Sequence, residues 1–164
     1  MTVSQCWGAF ISTKGTSQKV VLPSCTNSPS PTLPSRVAMN CFDKALREQP
    51  TCVKALAGRG STAAISGNLA GAIVDFKAAL QVEPRNLDCA VRLGQTQAAL
   101  GLLNDAQSTF SSALQMATNN ANTPELKALV ASSYHQRALV RHKLGDEDLA
   151  IADFTEALDL QPNH

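Results

Sequence analysis

The chain has 164 residues, of which 14 are Lys or Arg and 13 are Asp or Glu, for a formal charge of +1. That balance excludes the basic excess of a typical nucleic-acid binder, and 4% aromatic content leaves few platforms for stacking bases. Apolar runs fall short of the ~18 residues of a membrane span, so neither nucleic acid nor a membrane is expected as a partner.

Residues 1–36 carry twelve Ser or Thr, four Pro and no acid; the first acid is Asp43. The apolar stretch Trp7–Gly8–Ala9–Phe10–Ile11 is too short for a secretory leader, and Lys14 follows rather than precedes it. The missing acids suit a mitochondrial presequence, but Arg36 is the only arginine there. Ser28–Pro29–Ser30–Pro31–Thr32–Leu33–Pro34 cannot be helical, because proline removes donors and restricts the residue before it. Residues 1–34 are therefore expected to form a disordered tail, with a targeting segment as the alternative.

Beyond the tail the chain reads as helices. The first spans about 35–48, and three pairs follow at 53–66 and 69–82, 87–100 and 103–116, and 124–144 and 147–160. Thr123–Pro124–Glu125 marks a start, with Thr as cap and Pro in the first turn. The helix it opens is about 21 residues long, ~31 Å, some two turns beyond its neighbours.

These helices repeat. Phe42, Phe76, Phe110 and Phe154 stand 34, 34 and 44 residues apart. Four residues before each lies Ala38, Ala72, Ala106 or Ala150, and three after it Ala45, Ala79, Ala113 or Ala157, followed by Leu46, Leu80, Leu114 or Leu158. Pro50, Pro84 and Pro162 come eight residues after, with Thr118 as the exception; Gly67, Gly101 and Gly145 come nine before. Phe, both Ala and Leu share one helix face, where alanine permits close approach and phenylalanine fills the gap between neighbouring hairpins. Glycine suits a left-handed C-terminal cap between the helices of a pair, and proline stops the second helix. A two-helix unit cannot bury its own face and must stack into a solenoid.

The pattern resembles the tetratricopeptide repeat family, whose unit is 34 residues. Gly60 and Gly94 match its glycine in the first helix, with Ala138 in that place in the last repeat; Tyr134 matches its early aromatic. The resemblance implies an all-α superhelical solenoid of antiparallel helix pairs. Its divisions are a half repeat at 35–52 and repeats at 53–86, 87–120 and 121–164, the last with about ten inserted residues. A first helix for the half repeat would fall at 19–33, in the Pro/Ser-rich stretch, which leaves one side of helix 35–48 uncovered. No polar capping helix follows Pro162, so a fragment or short form of a longer array is expected.

In resembling proteins the first helices line a concave groove for a partner peptide or helix. The matching positions are Lys54, Ala57, Gly58, Ser61 and Ile65, then Asp88, Val91, Arg92, Gln95 and Ala99, then His135, Gln136, Leu139 and His142. Small side chains with scattered donors suit a peptide; the bland reading is a solvated face. Some family members clamp the C-terminal carboxylate of heat-shock chaperones with Lys, Asn and Arg. Ala57, Ser61, Arg92, Ser132 and Gln136 stand at those positions and none fits, so a chaperone tail is not expected.

Catalytic and metal chemistry find little support. His135 and His142 are seven apart, where a shared metal on a helix prefers three or four. Gly58–Arg59–Gly60–Ser61–Thr62 lacks the P-loop lysine and falls inside a helix. Asp146–Glu147–Asp148 reads as helix capping, and Asp75 and Asp153 as part of the repeat frame. The cysteines, Cys6, Cys25, Cys41, Cys52 and Cys89, are odd in number and lack a metal or redox spacing, so reduced thiols in the cytoplasm are expected. The sequence thus points to a non-catalytic interaction scaffold with a protein partner, no cofactor and no metal. The alternatives are the repeat region of a longer enzyme, or a structural component that self-associates through the open ends of the array.

Overall fold

The computed structural model describes residues 35–117 and 123–161. The expectations for residues 1–34, and the repeat positions Thr118 and Pro162, lie outside them. The described chain is helical: α1 (Ser35–Glu48), α2 (Val53–Ile65), α3 (Leu69–Val82), α4 (Leu87–Ala99), α5 (Leu103–Ala117), α6 (Pro124–Leu144) and α7 (Glu147–Leu160). Every boundary falls within one residue of the sequence-based one.

The turns inside the pairs are built as the glycines require. Gly67, Gly101 and Gly145 adopt φ of +84°, +84° and +91°, a region that side chains with a Cβ rarely enter. At the end of α2, Gly67 N–H donates to Ala64 O at 3.1 Å and Asn68 N–H to Ala63 O at 2.9 Å, the paired bonds of a Schellman stop. The next helix starts at once, because Asn68 accepts from Gly71 N–H at 3.0 Å. Asn86 caps α4 through Cys89 N–H, and Thr123 caps α6 through Leu126 N–H. Asp146 makes no side-chain cap bond to α7, and Glu147 and Asp148 lie in its first turn. The acids at that end act through the helix dipole, and Glu147 binds His142 Nδ1 at 2.9 Å.

Packing follows the repeat columns. Ala72, Phe76 and Ala79 in α3, and Ala106, Phe110 and Ala113 in α5, are all at most 1% exposed. Phe76 and Phe110 lie against Gly60 and Gly94 of their own pairs, where a Cβ would approach the rings to 3.1 and 2.8 Å. Phe76 also shares a core cluster with Leu93 of the following pair, so the ring seals both the pair and the junction. Burying each ring contributes about 1.5–3 kcal/mol. In the end helices the same columns are looser: Ala38, Phe42, Ala45, Phe154 and Ala157 are half-buried, though Ala150 is buried. The extra turns of α6 are not idle. Leu126 and Leu129 pack against the core cluster that contains Val130 of α6 and Ala117 of α5.

First helices form one row and second helices another. α2 touches α4 and α4 touches α6, whereas α3 does not reach α5, nor α5 reach α7. Close approach in one row and splaying in the other curves the stack, with α2, α4 and α6 on the inner side. The fold is therefore a helical solenoid.

Candidate functional site: the inner helical face

The inner row carries the residues picked out by register. Lys54, Gln95, Leu139 and His142 are exposed; Ser61, Asp88, Arg92 and Gln136 are half-buried. Of the flanking positions, Ile65 and Ala99 are exposed and Ala57 and Gly58 half-buried. Gly58 has no room for a side chain, because a Cβ there would run into the Phe42 ring. Val91 is 3% exposed and belongs to the core with Val130 and Val140, so it offers nothing to a ligand.

The central side chains are held in place. Arg92 donates from Nε to Asp88 at 2.8 Å and from Nη1 to Ser61 Oγ at 3.4 Å, linking α4 to α2. Ser61 Oγ in turn donates to Ala57 O at 2.8 Å. Arg92 and Asp88 keep about a third of their side chains or more in solvent, so the pair adds little stability and positions the guanidinium instead.

His135 stands in the column of Val91 and is exposed. Its ring packs edge-on against Phe154, with centroids 5.4 Å apart. His142 lies at the turn into α7, bound to Glu147. The register places these two histidines with the groove set, but their contacts tie them to the α6–α7 pair.

Two ion networks escape a reading of the sequence. Arg59 donates to Asp75 from Nε at 2.9 Å and Nη2 at 2.6 Å, and to Asp43 from Nη1 at 2.9 Å. Its pKa is raised further above the ordinary range, first by the bonds to Asp75, against a desolvation effect that lowers it. Arg137 grips Asp153 in the same bidentate way, at 2.8 and 2.6 Å, and reaches Ser111 at 3.1 Å. Arg141 adds a third bond to Asp153 at 2.8 Å. Both pairs have a separation of 16 residues, with Arg just before the Gly60 or Ala138 position and Asp just before the phenylalanine. Repeat three carries Leu93 and Thr109 at these places, and Thr109 donates to Gln97 instead. Asp75 and Asp153 are thus hairpin ion-pair partners.

On the outer side, an open notch of about 260 Å³ lies over α4 between α3 and α5. Ser108, Thr109 and Ser112 line it, and their hydroxyls donate to Asp105 O, Gln97 Oε1 and Ser108 O. It is smaller than a usual ligand pocket and its donors are committed. Among the described residues no group of His, Cys, Asp and Glu could hold a metal, and no helix is long and apolar enough to cross a membrane. Cys41, Cys52 and Cys89 are free thiols. Burial, reinforced by the charge of Asp88, pushes the Cys89 thiol up to about 11.

Comparison with known proteins agrees with this architecture. Two tetratricopeptide-repeat family models match, one over residues 63–132 and one over 131–164. The chain belongs to the tetratricopeptide repeat family, and its fold class is that of protein-interaction modules. Among solved structures, a crystal structure of MamA is 21% identical over 78% of this chain and 69% of its own, with a TM-score of 0.68. A second MamA structure is 17% identical over 78% and 64%, with a TM-score of 0.67. The first repeat domain of Spaghetti (RPAP3), bound to HSP90 peptide SRMEEVD, is 20% identical over 68% and 81%, with a TM-score of 0.59. The chain thus spans about two thirds of the MamA chains, and at these identities the likeness concerns the fold. No curated protein matches.

Proposed function

We propose that this chain is a non-catalytic scaffold that holds an extended or helical segment of a partner protein against the inner face of α2, α4 and α6. The observation that carries the reading is the fixed Asp88–Arg92–Ser61 bridge at the centre of that face, flanked by exposed Lys54, Gln95 and Leu139. A preorganised surface loses less freedom when it docks a partner, and mixed polar and small side chains fit backbone amides and polar side chains. Gln136 and Leu139 extend the face along α6, with His135 and His142 at its α7 edge.

A protein segment as the ligand is supported by the Spaghetti (RPAP3) repeat domain, a similar fold that is bound to a peptide. Ala57, Ser61, Arg92, Ser132 and Gln136 do not reproduce a two-carboxylate clamp, so a chaperone tail is not the proposed ligand. A non-catalytic role is supported by the side chains themselves. The Cys89 thiol is buried and hard to ionise, and the inner-face hydroxyl of Ser61 is bonded to a helix carbonyl. Free thiols at Cys41, Cys52 and Cys89 favour a reducing compartment such as the cytoplasm.

The test is site-specific photo-crosslinking in cells from Gln95 and Leu139, beside a control position at Ser108 on the outer side. Partner peptides linked at the first two and absent at Ser108 support the groove. Arg92→Glu combined with Gln95→Lys should then weaken the same partner at least about tenfold. Equal capture from both sides, or unchanged affinity in that variant, defeats the reading.

A further inference from the structure

The helix α7 presents a face that the repeat elsewhere covers. Its Ile151 and Leu158 are 63% and 55% exposed and Phe154 is half-buried, whereas Phe110 and Leu114 in the same columns are 0% and 4% exposed beneath the next helix. The charges around this stripe are of one sign. Asp148 and Asp159 are exposed on its solvent flank, Glu147 is bonded to His142, and α7 holds no basic residue.

The solvent side of α1 has the opposite character. Arg36, Lys44 and Arg47 are exposed beside the exposed acid Glu48, while the partly exposed Asp43 is paired with Arg59. Val37 and Cys41 supply apolar contact on the same side, both exposed. An acidic frame around an apolar stripe at one end of the array, and a basic helix with apolar positions at the other, are complementary.

We propose that a second copy of this chain docks head to tail, with its α1 seated on the Ile151–Phe154–Leu158 stripe of α7. The two surfaces differ, so each docking leaves an α1 and an α7 free, and assembly grows beyond a dimer. The inner face takes no part in this contact, and the groove reading stands or falls separately.

Sedimentation velocity on the full chain, from about 1 to about 200 μM, tests it. At about 50 mM salt the mean mass should rise with concentration past that of a dimer, and at about 500 mM the association should weaken at least about tenfold. Asp148→Lys with Asp159→Lys should give a monomer, as should Arg36→Glu with Lys44→Glu. Mixing the two variants should restore association, because each now complements the other. All four positions are exposed, so both variants should stay folded, with at most a small fall in urea midpoint from Asp148→Lys, which puts a cation in the first turn of α7. A chain that stays monomeric, a closed dimer indifferent to both variants, or a mixture that fails to reassociate would overturn the proposal.

Discussion

Asp153→Ala and Asp75→Ala change the same repeat position and are predicted to differ in cost. Asp153 is 4% exposed and accepts three bonds from Arg137 and Arg141, which are only 14% and 15% exposed. Its loss leaves two guanidinium groups in a poorly solvated space with no carboxylate and only Ser111 and the Leu149 carbonyl as partners, at about 3–5 kcal/mol, or a fall in Tm of about 10–20 °C. Arg141 has little slack, because its Nε is already buried without a partner. Asp75 faces the reverse stoichiometry: Arg59, at 29% exposed, keeps its bond to Asp43 when Asp75 is removed. That loss should cost only about 1–2 kcal/mol. Repeat three suggests a control, since it fills the same two places with Leu93 and Thr109. Arg59→Leu combined with Asp75→Thr should recover most of the loss, as apolar replacement of a buried pair often does. Urea titrations followed by circular dichroism would measure all three. Equal costs for the two aspartates, or a double variant worse than Asp75→Ala, would refute the argument from partner counting.

The other predictions concern packing, titration and reactivity. Gly94→Ala puts a methyl 2.8 Å from the fully buried Phe110 ring, so it should destabilise by about 1–3 kcal/mol, and by more than Gly60→Ala, where the approach is 3.1 Å; urea midpoints decide. Cys89 should make folding sensitive to alkali. Its thiol stays protonated in the folded chain to about 11 but ionises near 9.0 when unfolded, so its contribution is intact below pH 9 and lost as pH rises towards 11. The loss is about 2–3 kcal/mol, and Cys89→Ala should flatten that slope. Peptide mapping after alkylation near neutral pH should find exposed Cys41 modified well before buried Cys89, the reverse order contradicting the assigned burial.

Helix placement was legible because three kinds of residue carry separate instructions in register. Gly67, Gly101 and Gly145 end one helix, Pro50 and Pro84 end the next, and the phenylalanines mark the face between them. The ion networks were not legible for a physical reason. Arg59–Asp75 and Arg137–Asp153 meet only once the pairing of two antiparallel helices is known, and Leu93 and Thr109 break the column midway. Groove assignment by register is limited in another way. The column of Val91 is sealed by the following pair inside the array, whereas at its end His135 turns to Phe154. A column fixes a direction on the helix, and the neighbours decide what that direction means.

This division separates binding from stability along the inner row. The contacts that hold the stack together include Phe76 and Phe110 with their alanines, the two arginine–aspartate networks, and the buried Val91, Val130 and Val140. Gln95 and Leu139 take no part in them and face solvent. Replacing both with Ala should therefore move the unfolding free energy by no more than about 0.5 kcal/mol, the usual range for surface substitutions. The same variant should lose a groove partner's affinity by about tenfold or more, since the removed groups are where the partner would sit. A stability loss above about 2 kcal/mol would mean that the inner face carries structural load, and a partner lost with it would then report unfolding rather than contact.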